Sequence, residues 1–163
     1  MNKQIEELTG KGIDDNLIAR GSLTVELFGQ DGKLKDKREV DNLIVTLGRA
    51  YIASRMKDTS QAAMGWIAIG TNSAAAAAGD STLGAEVERN AASSTIITTD
   101  VTEDTCQYVV TFAPGVGAAA LTEAGIFNAG GANAGIMLSR TVFDVVNKGA
   151  LDTMTITWNI KIA

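Results

Sequence analysis

Apolar and polar residues alternate one by one through the end of the chain, residues 151–163. Met154, Ile156, Trp158, Ile160 and Ile162 fall on one side. Thr153, Thr155, Thr157, Asn159 and Lys161 fall on the other. This is the period of a β-strand with one face on a core and one in water. The threonines suit a pleated backbone, and Trp158 brings the largest apolar area to the inward face. A strand of this kind needs paired neighbours and a second layer, which the rest of the chain is expected to supply.

The same alternation recurs at 21–28, where Leu23, Val25 and Leu27 interleave with Thr24 and Glu26, and Asp31-Gly32 then marks a tight hairpin turn. The return segment 34–40 carries Lys35, Asp36, Lys37, Arg38 and Glu39, a composition that belongs at an exposed sheet edge. The period changes at 41–56. Ile44, Leu47, Tyr51, Ile52 and Met56 form a helical stripe, with Asp41 or Asn42 as N-cap and Arg49, Arg55 and Lys57 toward the C-terminal end. One α-helix is therefore predicted near 42–56, and Gly48 on its inner side would let it pack closely on a sheet.

Residues 66–69 begin a buried strand that stops at Gly70, and 70–93 reads as a long surface loop pegged by Leu83 and Val87. Strands resume at 94–101 and 105–113, around a turn at 102–104, and continue at 121–128, 136–146 and the final segment. The expectation is a mainly β chain of about eight strands in two packed antiparallel sheets, with one helix.

At 163 residues the chain suits a single domain with a core of its own. Residues 21–163 are assigned to that domain and 1–20 to an N-terminal arm. The arm holds Ile5 and Leu8, then Ile13, Leu17 and Ile18, and two readings fit it: a frayed tail, or an extended arm docking on another subunit. Leu83 and Val87 join these five as candidate partner contacts.

Net charge is −5, and residues 61–163 hold four basic against nine acidic side chains, which argues against a nucleic-acid-binding face. The polar start and the lack of a run of about eighteen apolar residues predict a soluble protein made in a cytoplasm, with no membrane partner. Histidine is absent, which removes Ser-His-Asp and Cys-His constellations and the commonest metal ligand. Cys106 stands alone in a strand-like context and is expected to be a buried, inert thiol. Asp100, Glu103 and Asp104 lie close in sequence, but their spacing fails a calcium loop and reads as an acidic hairpin tip. Glu86 and Glu88 would share a face on an extended chain. Glu123 is the one charge that stands out: alternation places it with Leu121, Gly125 and Phe127, and if that face is inward the carboxylate needs a donor. Arg140 on the following strand is the candidate structural partner. No cofactor, metal site or catalytic group is expected, and the chain reads as a scaffold and not an enzyme.

Three stretches, DNLIVTLGRAYIASRM at 41–56, MGWIAIGTNSAAAAAGDSTLGAEVERN at 64–90, and 121–162 with LTEAGIFN, SRTVFDVVNKGA and TMTITW, together resemble tailed-bacteriophage virion proteins. The best match is the capsid cement (decoration) protein family. The resemblance implies a β-sandwich of jelly-roll type and a place on the capsid surface of the virion. It further implies that the protein binds over junctions of major capsid protein subunits and self-associates as a dimer or trimer. Tail-fibre and baseplate proteins share similar stretches, so a receptor-binding module of the tail is the alternative.

Overall fold

A computed structural model of the chain describes residues 17–57 and 60–163. Its described residues form an antiparallel β-sandwich of two five-stranded sheets with one helix. β1 (Ala19–Phe28) and β2 (Leu34–Asp41) make the first hairpin, and β3 (Leu43–Ile44) leads into α1 (Thr46–Ser54). β4 (Trp66–Gly70) pairs with β5 (Glu86–Ala91), β6 (Ser93–Ile97) with β7 (Thr105–Phe112), and β8 (Ala119–Phe127) with β9 (Met137–Lys148). β10 (Thr153–Ile162) ends the chain. The sheets are ordered β2-β1-β10-β7-β6 and β3-β9-β8-β4-β5, so the last three hairpins fall in alternate layers and β10 returns to the centre of the first.

β10 organises the core as its alternation predicts. Leu23, Trp158 and Tyr108 form one cross-strand row, Val25, Ile156 and Val110 the next, and Leu27, Met154 and Phe112 a third. All nine side chains are buried. The second sheet sets Ile67, Ile69, Leu121, Ala124 and Ile126 against them. A slip of one residue would turn a whole row to water, which fixes the register. The charged β2 lies at the sheet edge, as its composition requires.

Several elements differ from expectation. Among the described residues ten strands form in place of eight, because β3 and β5 come from segments read as helix and loop. The helix starts at Thr46, and neither Asp41 nor Asn42 caps it. Asp41 ends β2, and Val45 at the N-cap makes no side-chain capping bond. Its first amides are satisfied from afar instead: Val45 N–H donates to Leu138 O and Thr46 N–H to Ala78 O. Only Gly48 and Tyr51 of the helix are buried, so Leu47 and Met56 are not part of a core stripe. Gly48 does make the close approach: a Cβ there would sit 1.9 Å from Leu138 O. The loop expected over 70–93 is confined to 71–85. β6 stops at Ile97, leaving Ile96 and Val101 exposed. Cys106 is half-buried at the core margin, where the neighbouring edge strand covers it incompletely. Trp66 is also half-buried, on the outer side of the second sheet, packed against Phe127 and its neighbours.

Candidate functional site

The outer face of the second sheet carries most of the buried charge. A bulge in β8 between Leu121 and Glu123 breaks the alternation. Leu121 therefore stays in the inter-sheet core, while Glu123 turns to the opposite side with Phe127. This corrects the expectation that Glu123 and Leu121 share a face. Glu123 is nonetheless fully buried, because the loop 71–85 lies over it.

The carboxylate is an acceptor-only group facing donors on every side. Oε1 accepts from the Asn72 N–H at 3.2 Å and the Ala85 N–H at 2.7 Å. Oε2 accepts from the Gly84 N–H at 3.0 Å and from Arg140 Nε at 2.9 Å, and lies 2.8 Å from Nη2 of the same guanidinium. Arg140, equally buried, spends its remaining donors on the same loop: Nη1 on Asp80 Oδ2 at 2.9 Å and Nη2 on Ala74 O at 3.0 Å. Gly70 makes the room, since a Cβ there would lie 2.5 Å from Glu123 Oε1. Leu83 is the apolar peg of the loop, buried with Val45, Ala68, Phe127 and Met137. A buried pair whose lone pairs and protons are all used rigidifies what it touches.

A second arginine repeats the device. Arg89 of β5 forms a two-pronged pair with Glu86, at 2.9 Å from Nε and 2.8 Å from Nη2. Its Nη1 donates to Ala129 O and Ala134 O, which ties down the turn between β8 and β9, and its guanidinium lies 3.7 Å from the centroid of the Phe127 ring. Glu86 and Glu88 do not share a face: a bulge in the β4–β5 pairing separates them, and Glu88 lies beside Gly117. This arginine carried no signal in sequence beyond standing three residues after Glu86.

Further charged groups hold turns. Lys148, buried, donates to Ala113 O and Asp152 O, and burial pushes its ammonium below the usual lysine range. Asp152 is held below the ordinary carboxylate range by the hydrogen bond from Lys35, with help from the Gly149 N–H. At the β6–β7 turn, desolvation pushes Asp104 up, but the N–H groups of Asp100, Thr99 and Val101 outweigh it and leave the carboxyl well below its usual range. Asp100 and Asp104 both approach Lys161, so the acidic tip is tied to β10. Burial, then a hydrogen bond with Cys106, raises the Tyr108 phenol above its ordinary range. Lys148, Asp152 and Asp104 are each spent on their neighbours and stabilise a connection. Among the described residues, no three His, Cys, Asp or Glu side chains are grouped to hold a metal ion, and no helix is long and apolar enough to cross a membrane.

The candidate partner contacts separate. Ile5, Leu8 and Ile13 lie outside the described residues. Leu17 and Ile18 are exposed, at 73% and 42%, while Val87 on β5 is 40% exposed and packs on no core cluster. Leu83 is buried under its loop and is not available to a partner. Comparison with protein-family models, curated proteins and solved structures found no match to this chain.

Proposed function

We propose that this chain is a structural protein of a tailed-bacteriophage particle, a capsid cement protein that sits over junctions between major capsid protein subunits and stabilises the shell. The observation that supports the reading is spatial. The three stretches that resemble phage virion proteins, 41–56, 64–90 and 121–162, are far apart in the chain yet pack together in the sandwich. They supply α1, the loop 71–85 and nearly all of the second sheet (β3, β4, most of β5 and β8, and β9), together with β10 at the centre of the first. Glu123 and Arg140 from one stretch lock the loop contributed by another, and Gly48 of the third packs on Leu138. The resemblance thus maps onto one packed unit.

That unit presents a loop of small residues, 73–79, largely exposed and held from beneath by the buried pair. A contact loop fixed before docking loses little conformational entropy on binding. A protein that binds only the assembled shell stabilises it by linkage, and many copies with modest contacts suffice. Self-association as a dimer or trimer belongs to the same proposal. Quantitative gel analysis of purified particles tests it. Copy numbers comparable to the major coat protein are expected; a few copies per particle would favour the tail-fibre or baseplate reading and end the cement proposal.

A further inference from the structure

Four strands lie at sheet edges among the described residues: β2 and β6 in the first sheet, β3 and β5 in the second. An edge strand carries unpaired N–H and C=O groups and takes up another extended chain unless something blocks it. Three of the four are blocked. Six of the eight residues of β2 are charged, β3 is two residues long, and β5 carries Glu86, Glu88 and Arg89 with a bulge in its ladder. β6 has none of these devices. Residues 91–99 read AASSTIITT, without charge or proline, and residues 93–96 of the strand are all exposed.

We propose that β6 pairs antiparallel with β6 of a second copy about a two-fold axis at Thr95, joining the two five-stranded sheets edge to edge. The inference rests on the self-association proposed above and deepens it, naming the surface and fixing the order as a dimer.

The first argument is how the core rows end. Ile160, Cys106 and Ile96 form one inward row, and Trp158, Tyr108 and Ser94 the next. The first ends in an isoleucine left 56% exposed; the second stops short, at a serine. The register that overlaps all five residues of β6 sets Ser94 opposite Ile96 of the second copy, and Thr95 opposite its own counterpart. Each isoleucine then completes the row that the other chain leaves short.

Charge is the second argument. At −5 the chain repels its copies, so contact between like surfaces needs a neutral centre. Asp100, the first charge after the strand, lies five residues beyond Thr95 on each chain, on opposite sides of the axis. The two carboxylates are thus about 33 Å apart at strand rise, several Debye lengths at physiological salt. Pairing β6 with β2, β3 or β5 of another copy would set it against charges or leave it short. On a shell, neighbouring copies meet at an effective concentration of about millimolar, which suits a short ladder.

NMR diffusion of the free full-length chain, in a series reaching about millimolar, tests the pairing. It makes no reference to the particle, so its failure is distinct from failure of the cement reading, which copy number decides. A monomer–dimer equilibrium is expected, with amide exchange at residues 93–97 slowing as concentration rises. Thr95 shares the outer face with Gln107 and Asn159, so Thr95→Lys and Thr95→Glu leave the core alone. Each should weaken the dimer about fivefold, since like charges then meet on the axis, and an equimolar mixture of the two should restore it. A monomer throughout the series, or a trimer, would overturn the proposal. So would variants that dimerise as well as the unchanged chain, or a mixture no tighter than either variant alone. Where a variant misfolds, the unchanged chain decides: exchange at 93–97 that ignores concentration overturns the pairing.

Discussion

Trp158 shows how one residue carries the first sheet. It is fully buried at mid-β10, with Leu23 on one side and Tyr108 on the other, and its indole N–H finds no acceptor among the described residues. Trp158→Ala should destabilise the protein by about 3–5 kcal/mol in urea unfolding; a loss below about 1 kcal/mol would mean that this row is not the centre of the core. Asp152 makes a prediction of a different kind. Its folded-state pKa lies below the unfolded value, because Lys35 and the Gly149 N–H favour the carboxylate. The unfolded chain then binds more protons on the acid side, so the stabilisation is present above about pH 4 and is lost as pH falls through the folded pKa. Asp104 shifts the same way and adds to the slope. Melting temperature should be level from neutral to about pH 5 and decline below about pH 4. Asp152→Asn should start lower at neutral pH and decline less steeply.

The ordered loop 71–85 depends on Glu123 more than on its own sequence. Four hydrogen-bond donors converge on that carboxylate, two on each oxygen, so the isosteric Glu123→Gln must turn an NH₂ group toward two of them. A cost of about 3–5 kcal/mol is expected, since Arg140 loses a buried partner. Amide exchange should accelerate first at Asn72, Gly84 and Ala85; uniform acceleration through the whole chain would show that the pair supports the fold globally and not the loop. Gly48→Ala is the matching test of the helix. Alanine would favour an isolated helix by about 1 kcal/mol, yet its Cβ would collide with Leu138 O. Net destabilisation is expected, read as a lower urea midpoint, and a stabilised variant would contradict the packing.

These elements also mark how far the sequence could be read. Strands whose partners lie across a flat ladder, such as β1 and β10, follow strict alternation and were legible. The pairing of Glu123 with Arg140 was legible as chemistry, because an isolated acid in an apolar run needs a donor. Its face was not, since the bulge at residue 122 shifts the period without leaving a compositional mark. β5 was hidden because EVERNA looks like a solvated segment until Phe127, Glu86 and two distant carbonyls surround Arg89. The helix cap was hidden for the same reason: its acceptors come from Leu138 and Ala78, remote in sequence.

For the molecule as a whole, the sandwich invests its buried charge in fixing connections. Loops over the outer face, the β8–β9 turn and the turn before β10 are each anchored by a buried or half-buried ion pair or by a lysine held among carbonyls. Such an object keeps its surface shape, which suits a protein that binds many equivalent positions on a shell. Electron cryo-microscopy of the intact particle tests that claim most directly. The account predicts density for this sandwich repeated across the capsid surface over subunit junctions, with loop 71–85 ordered as in the free chain; density confined to the tail, or none on the particle, would contradict it.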